Sequence, residues 1–164
     1  MAPEALDSDA ELERLRNEKL QRYRRVAALT GDHKEFPDQP VEASVAAAEE
    51  VVRSFPTAVI EFWAKWCRPC HTMRPIVDEL AAEFWGDIAF ARLDIDAHPD
   101  ARTRWDVTVL PTVVLTQKGH EAARLLGAQS RRKLETFLEP FASSPDERLK
   151  RRGTSQPPGR VGGA

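Results

Sequence analysis

The stretch Glu61-Phe62-Trp63-Ala64-Lys65-Trp66-Cys67-Arg68-Pro69-Cys70 constrains this chain more than any other. It joins a nearly unbroken apolar run, Thr57 to Trp63, to a short loop and then to the only two cysteines among 164 residues. An apolar run of that kind is the pattern of a strand covered on both faces. The Cys-x-x-Cys spacing places both sulfurs on the first turn of a helix, close enough to close a small disulfide ring. A helix N-terminus carries unpaired N–H groups and the positive end of the helix dipole. Both favour thiolate over thiol at Cys67, the first sulfur.

The rest of the chain supplies the layers such a strand needs. Ser44 is placed to cap a helix running to about Arg53, after a short candidate strand at Val41-Glu42-Ala43. The cysteines open a helix from about Cys70 to Phe84, with Met73, Ile76, Val77, Leu80 and Phe84 on its inner face and Pro75 expected to kink it. Ile88 to Asp94 reads as the next strand, and Pro99 to Trp105 as a short helix or turn begun near His98. Thr112 to Thr116 and Glu121 to Leu126 form a hairpin signal around Lys118-Gly119. Ser130 caps a final helix with Leu134, Phe137 and Leu138 inward. The order β-α-β-α-β-α-β-β-α predicts an α/β fold, a central mixed β-sheet sandwiched by helices.

The ends lie outside this core. Asp9 to about Leu29 reads as a charged helix with a thin apolar stripe, ended by Gly31 and followed by a proline-punctuated linker to Pro40. It is expected either to lie solvated against the domain or to dock a partner or a second copy. From Ser143 the chain is rich in Ser, Pro, Gly, Lys and Arg and is expected to be disordered. The division is therefore 1–40, an N-terminal charged helix and linker; 41–142, the folded domain; and 143–164, a disordered tail.

A net charge of -2 makes no electrostatic case for nucleic acid or an anionic membrane. No apolar run approaches the roughly 20 residues of a membrane span. The N-terminus is acidic and lacks the basic start and apolar stretch of a secretory signal. With one cysteine pair and no other disulfide possible, a reducing cytoplasm is the expected location.

Several motifs at consistent separations resemble the thioredoxin family. The words Phe62-Trp63-Ala64-Lys65-Trp66-Cys67-Arg68-Pro69-Cys70 resemble its active-site motif. Val109-Leu110-Pro111-Thr112 resembles its cis-proline loop, Gly127-Ala128 its third loop at the same surface, and Pro75 its helix proline. The likeness runs from about Val41 to Phe141, the roughly 100 residues of such a domain. It implies a thioredoxin fold and a monomeric protein-disulfide reductase working by reversible dithiol–disulfide exchange, in electron transport and cell redox homeostasis. By resemblance, Cys67 attacks a client disulfide and Cys70 resolves the mixed disulfide, with no bound cofactor beyond the redox-active pair. Trp66, Arg68, Pro69, Leu110, Pro111 and Gly127 would line the client surface, Leu110 offering backbone groups to an extended peptide. Disulfide-containing client proteins and a thioredoxin reductase using NADPH or ferredoxin are the implied partners.

Two departures touch the mechanism. Glu61 stands where the family usually has a buried aspartate, and Arg92 where it usually has a lysine. A buried carboxyl with a raised pKa can accept the proton of Cys70; the other reading is a structural Glu61–Arg92 ion pair. Arg68 replaces the usual glycine between the cysteines; its charge favours the Cys67 thiolate and a more oxidising pair, whereas Pro69 is the reductant's residue.

Competing readings remain. Cys67 to His71 also spells Cys-x-x-Cys-His, the haem-attachment signature, without an export signal or a methionine beyond Met73 to serve as second ligand. Zinc needs more ligands than two cysteines and His71. A disulfide oxidase or isomerase finds support in Arg68 and His71. A non-catalytic binding module acting through the N-terminal helix is the alternative of a different kind.

Overall fold

The structure is a computed structural model that describes residues 37–154 together with Arg14 and Glu18. Both isolated residues are helical, and their side chains approach to 3.9 Å. The rest of the helix expected over Asp9 to Leu29 lies outside the described residues.

Five strands make one sheet in the order β1-β3-β2-β4-β5. They are β1 (Val41–Glu42), β2 (Thr57–Trp63), β3 (Ala89–Asp94), β4 (Thr112–Gln117) and β5 (His120–Leu126). β1, β3 and β2 are parallel; β4 and β5 continue antiparallel, so the sheet is mixed as expected. Helix α1 (Val45–Ser54) connects β1 to β2, and α2 (Arg68–Glu83) connects β2 to β3. A four-residue helix, α3 (Ala101–Arg104), precedes β4, and α4 (Arg131–Leu138) follows β5. Ser44 caps α1 through the N–H of Ala47 at 3.2 Å, and Ser130 caps α4 through that of Lys133 at 3.2 Å. Lys118 and Gly119 both have positive φ, 50° and 84°, the backbone of a two-residue hairpin turn.

Strand alternation sorts the core into two layers. Ala58, Ile60 and Phe62 of β2, with Ala89, Ala91 and Leu93 of β3, face α1 and the two cysteines. Val59 and Phe90 face the other way, with Val113 and Leu115, toward Met73, Val77 and Leu80 of α2 and Leu134 and Leu138 of α4. Each large side chain fully buried in these layers contributes about 1.5–3 kcal/mol. The same alternation turns Glu61 and Arg92 into the second layer, toward Arg74 and Asp78 of α2.

The C-terminal expectation is corrected over part of its length. Pro145–Thr154 forms a helix, α5, where disorder was expected from Ser143. Composition concealed the anchors. Ser143 binds Asp87 through both its N–H and its hydroxyl, at 3.1 and 2.9 Å. Ser144 and Glu147 cap the helix reciprocally. Arg148, only 5% exposed, pairs with Glu139 at 2.8 Å, donates to the Ser143 carbonyl and lies 4.3 Å from the centre of the Phe84 ring. An arginine stem and its planar charged end cover apolar surface well, so a basic segment can still close a core. No helix of the described residues is long and apolar enough to cross a membrane.

Candidate active site

β2 ends at Trp63, and the chain turns through Ala64, Lys65 and Trp66 before α2 begins. The turn is closed by the Cys67 N–H on the Ala64 carbonyl at 3.1 Å. Helix α2 starts at Arg68, two residues earlier than expected, because Cys67 itself is the N-cap. Its Sγ accepts the N–H of Cys70 at 3.3 Å, a place usually taken by a serine or aspartate oxygen. Cys67 and Cys70 are joined in a disulfide, their Cα atoms 5.3 Å apart. Both are buried, and Trp66 stands beside them 65% exposed. Arg68 and Pro69 are exposed at the first turn. A sulfur that caps a helix is stabilised as an anion by that N–H and by the helix dipole, which makes Cys67 the better nucleophile and leaving group.

The other expected surface residues gather from β4 and β5. The Leu110–Pro111 peptide is cis. Leu110 packs against the layer that holds the two cysteines. The Pro111 carbonyl accepts the N–H of Gly127 at 2.8 Å, so the cis-proline loop and the turn after β5 are one unit. Gly127 has φ of 78°, a conformation that costs any residue with a Cβ. Val109 and Leu126, 43% and 52% exposed, add apolar surface that the motif reading did not single out. Thr112 pairs with Leu126 across the β4–β5 ladder.

Glu61 and Arg92 sit opposite each other on β2 and β3. Arg92 Nε donates to Glu61 Oε2 at 2.8 Å, with the two side chains 4% and 1% exposed. Its Nη1 donates to Asp78 at 2.8 Å and its Nη2 to the Arg74 carbonyl at 3.1 Å. The ion pair is therefore present and extends to α2. Asp78 and Arg74, four residues apart on one helix face, were the part that sequence reasoning missed; that spacing was the available signal. Arg74 also lies 4.5 Å from the Trp63 ring centre and bonds Glu42 at 3.2 Å. Burial pushes the Glu61 carboxyl up, and the Arg92 charge and hydrogen bond only partly offset it. Burial opposes the Arg92 charge as well, but Glu61 and Asp78 outweigh it and hold the guanidinium above its ordinary value.

The raised Glu61 carboxyl has a stability consequence. A folded-state pKa above the unfolded 4.5 means the native state binds this proton more tightly. The stabilising contribution is complete below 4.5 and is lost as pH rises through the folded value. Glu61→Gln is expected to remove that loss. Urea denaturation at a series of pH values upward from 4.5 should show a flatter stability profile than the parent's; an unchanged profile would mean Glu61 does not titrate there.

The His71 backbone N–H donates to the Cys67 carbonyl at 3.3 Å, while its ring Nε2 meets the Lys65 carbonyl at 2.6 Å and the ring stands edge-on to Trp63 with centroids 6.1 Å apart. A proton on Nε2 is required for that bond, since a carbonyl only accepts. Among the described residues no group of three or more His, Cys, Asp or Glu could hold a metal ion.

Comparison with known proteins agrees with this geometry. The thioredoxin family model matches residues 40–140. Thioredoxin of Mycobacterium tuberculosis is 31% identical over 103 residues, covering 63% of this chain and 87% of that protein. A chloroplastic thioredoxin of Arabidopsis thaliana is 36% identical over 92 residues, 56% of this chain and 48% of that protein. An M-type chloroplastic thioredoxin of Spinacia oleracea is 34% identical over 95 residues and is covered to 52%. The chain thus spans about half the length of these chloroplastic relatives. The solved structure of a thioredoxin variant from Halobacterium salinarum superposes with a TM-score of 0.62 at 26% identity, over 66% of this chain and 96% of that one. The matched residues hold all five strands and the cysteine-capped helix, and the chain belongs to the thioredoxin family.

Proposed function

We propose that this protein is a protein-disulfide reductase. The observation that carries the reading is the Cys67–Cys70 disulfide closed across the first turn of α2, with Cys67 Sγ held by the Cys70 N–H. The bonded pair is the oxidised end of the cycle. In the reduced protein, Cys67 thiolate attacks one sulfur of a client disulfide, and the other client sulfur leaves as a thiolate that takes up a proton. Cys70 then loses its proton and attacks Cys67 Sγ, the internal disulfide forms, and the second client thiolate leaves and is protonated. Two electrons have passed to the client, which has taken up one proton matching that lost by Cys70 and one from solvent.

Glu61, with its carboxyl raised by burial, is the group proposed to take the Cys70 proton. Trp66, Arg68, Pro69, Leu110, Pro111 and Gly127 are proposed to form the client surface, where an extended peptide pairs with the Leu110 backbone. A thioredoxin reductase fed by NADPH or ferredoxin is proposed to reduce the pair again. We assign the protein to the cytoplasm and to a monomeric state, with residues 41–142 as the catalytic domain.

The test is reduction of insulin's interchain disulfides by the full chain, with dithiothreitol as electron source. Catalysed precipitation of the freed chains at sub-stoichiometric protein is the expected result. A rate no greater than that of dithiothreitol alone would favour a binding module.

A further inference from the structure

We propose that Arg124, on the edge strand β5, is a positioning residue that holds the segment leading to Leu110 in its client-binding place. The inference rests on the reductase reading and adds a residue outside the motifs that carry it. The chemistry begins at the end of α3, whose last turn closes with two bonds. The Val107 N–H reaches back to the Arg102 carbonyl at 2.9 Å and the Asp106 N–H to the Thr103 carbonyl at 3.4 Å. This is the helix ending that normally places glycine in the left-handed region. Here the residue is Asp106, with φ of 50°. A non-glycine residue held there is strained and keeps that shape when its surroundings impose it.

The imposing group is a guanidinium. Arg124 donates from Nη2 to the Trp105 carbonyl at 2.9 Å and from Nη1 to the Asp106 carbonyl at 2.9 Å. Glu121, three residues earlier on β5, braces its other side, accepting from Nε at 2.6 Å and from Nη2 at 2.8 Å. The fork is thus filled by two carbonyls and one carboxylate, a geometry that a lysine cannot reproduce. The hydrogen bond from Arg124 holds the Glu121 carboxyl below its ordinary value, so the brace stays charged.

What the clamp holds leads straight to the site. Val107 is buried, Thr108 and Val109 are exposed, and Leu110 precedes the cis proline. The segment crosses from a four-residue helix to β4 with two further hydrogen bonds, both at its β4 end: Thr112 Oγ1 on the Val109 carbonyl at 2.6 Å and the Gly127 N–H on the Pro111 carbonyl at 2.8 Å. β5 is an outer strand of the sheet, paired with β4 from His120 to Leu126 apart from a register shift opposite Leu115 and Thr116. Arg124 fixes the loop to that rigid element before a client arrives, so that client binding does not bear the cost of ordering it.

The experiment compares the full chain with Arg124→Gln, Arg124→Lys and Glu121→Gln. Three quantities are read: kcat and KM for insulin, the rate with hydroxyethyl disulfide, and the Cys67/Cys70 reduction potential. Arg124→Gln is expected to raise KM for insulin about three- to tenfold, with kcat, the small-disulfide rate and the potential held within about twofold. Arg124→Lys, which keeps the charge and loses the fork, is expected to match it. Glu121→Gln leaves both carbonyl bonds in place and is expected to raise KM less, which keeps the test available should Arg124→Gln fold poorly. An unchanged KM overturns the proposal. So does wild-type KM in Arg124→Lys, since charge rather than the clamp would then be responsible, and so does a parallel fall in the small-disulfide rate or a shifted potential. A parent protein inactive on both disulfides would instead overturn the reductase reading.

Discussion

Cys67→Ser is expected to lower client reduction by at least about a thousandfold, because it removes the sulfur proposed to make the first attack on the client disulfide. Cys67 caps α2, and a serine oxygen caps a helix at least as well as sulfur, so folding should be preserved. The loss would then be chemical, which circular dichroism and urea unfolding of the variant can establish. Cys70→Ser is the complementary case. It keeps the first attack and removes the second, so the client should remain bound to Cys67 as a mixed disulfide. Non-reducing electrophoresis of the reduced variant after incubation with insulin should show a covalent adduct that dithiothreitol releases. An adduct formed by Cys67→Ser in place of Cys70→Ser would reverse the assignment of the two sulfurs.

Arg92→Met is expected to destabilise the fold by about 3–5 kcal/mol at neutral pH, the usual effect of stranding one partner of a buried ion pair. Glu61 is 1% exposed, and Arg92 is its bonded partner. Without the guanidinium, burial alone acts on the carboxyl and drives its pKa up further. The sign follows: the variant's native state holds this proton to a higher pH than the parent's, so the deficit against the parent grows as pH rises through the parent's raised folded-state value and shrinks below it. The double variant Arg92→Met, Glu61→Gln should recover much of the loss, since no buried charge is left unpaired. Urea midpoints for the two single variants and the double close the cycle. Strict additivity of the two losses would show that the residues do not act as a pair. Asp78, 30% exposed, retains water as a partner and is not expected to dominate the outcome.

The features carried by local chemistry were readable from the sequence. Ser44 and Ser130 cap their helices because a hydroxyl before an apolar run has few other uses, and Lys118-Gly119 turns because few residues tolerate positive φ. The Thr57–Trp63 run declared a doubly covered strand. Its one charged residue, Glu61, was visible as an exception, and the family resemblance pointed to Arg92 as its partner. Asp78 and Arg74 were less visible, since an exposed-looking helical pair gives no sign of which buried group it faces. The short helix was expected to begin near His98 but begins at Ala101, its first residue, with no side-chain cap to mark the start. Arg148 and Arg124 were hidden for a common reason. Both act through backbone carbonyls and a nearby glutamate, and such contacts leave no periodicity and no motif.

The reduction potential of the Cys67/Cys70 pair tests the central claim most directly. The pair would be equilibrated with glutathione buffers or dithiothreitol, with tryptophan fluorescence as readout, since Trp66 adjoins the disulfide and a neighbouring disulfide quenches indole emission. A value near −270 mV, about that of thioredoxins, is the prediction for a reductase, with Arg68 a minor influence. A value at or above about −180 mV, the range of isomerases and oxidases, would contradict it.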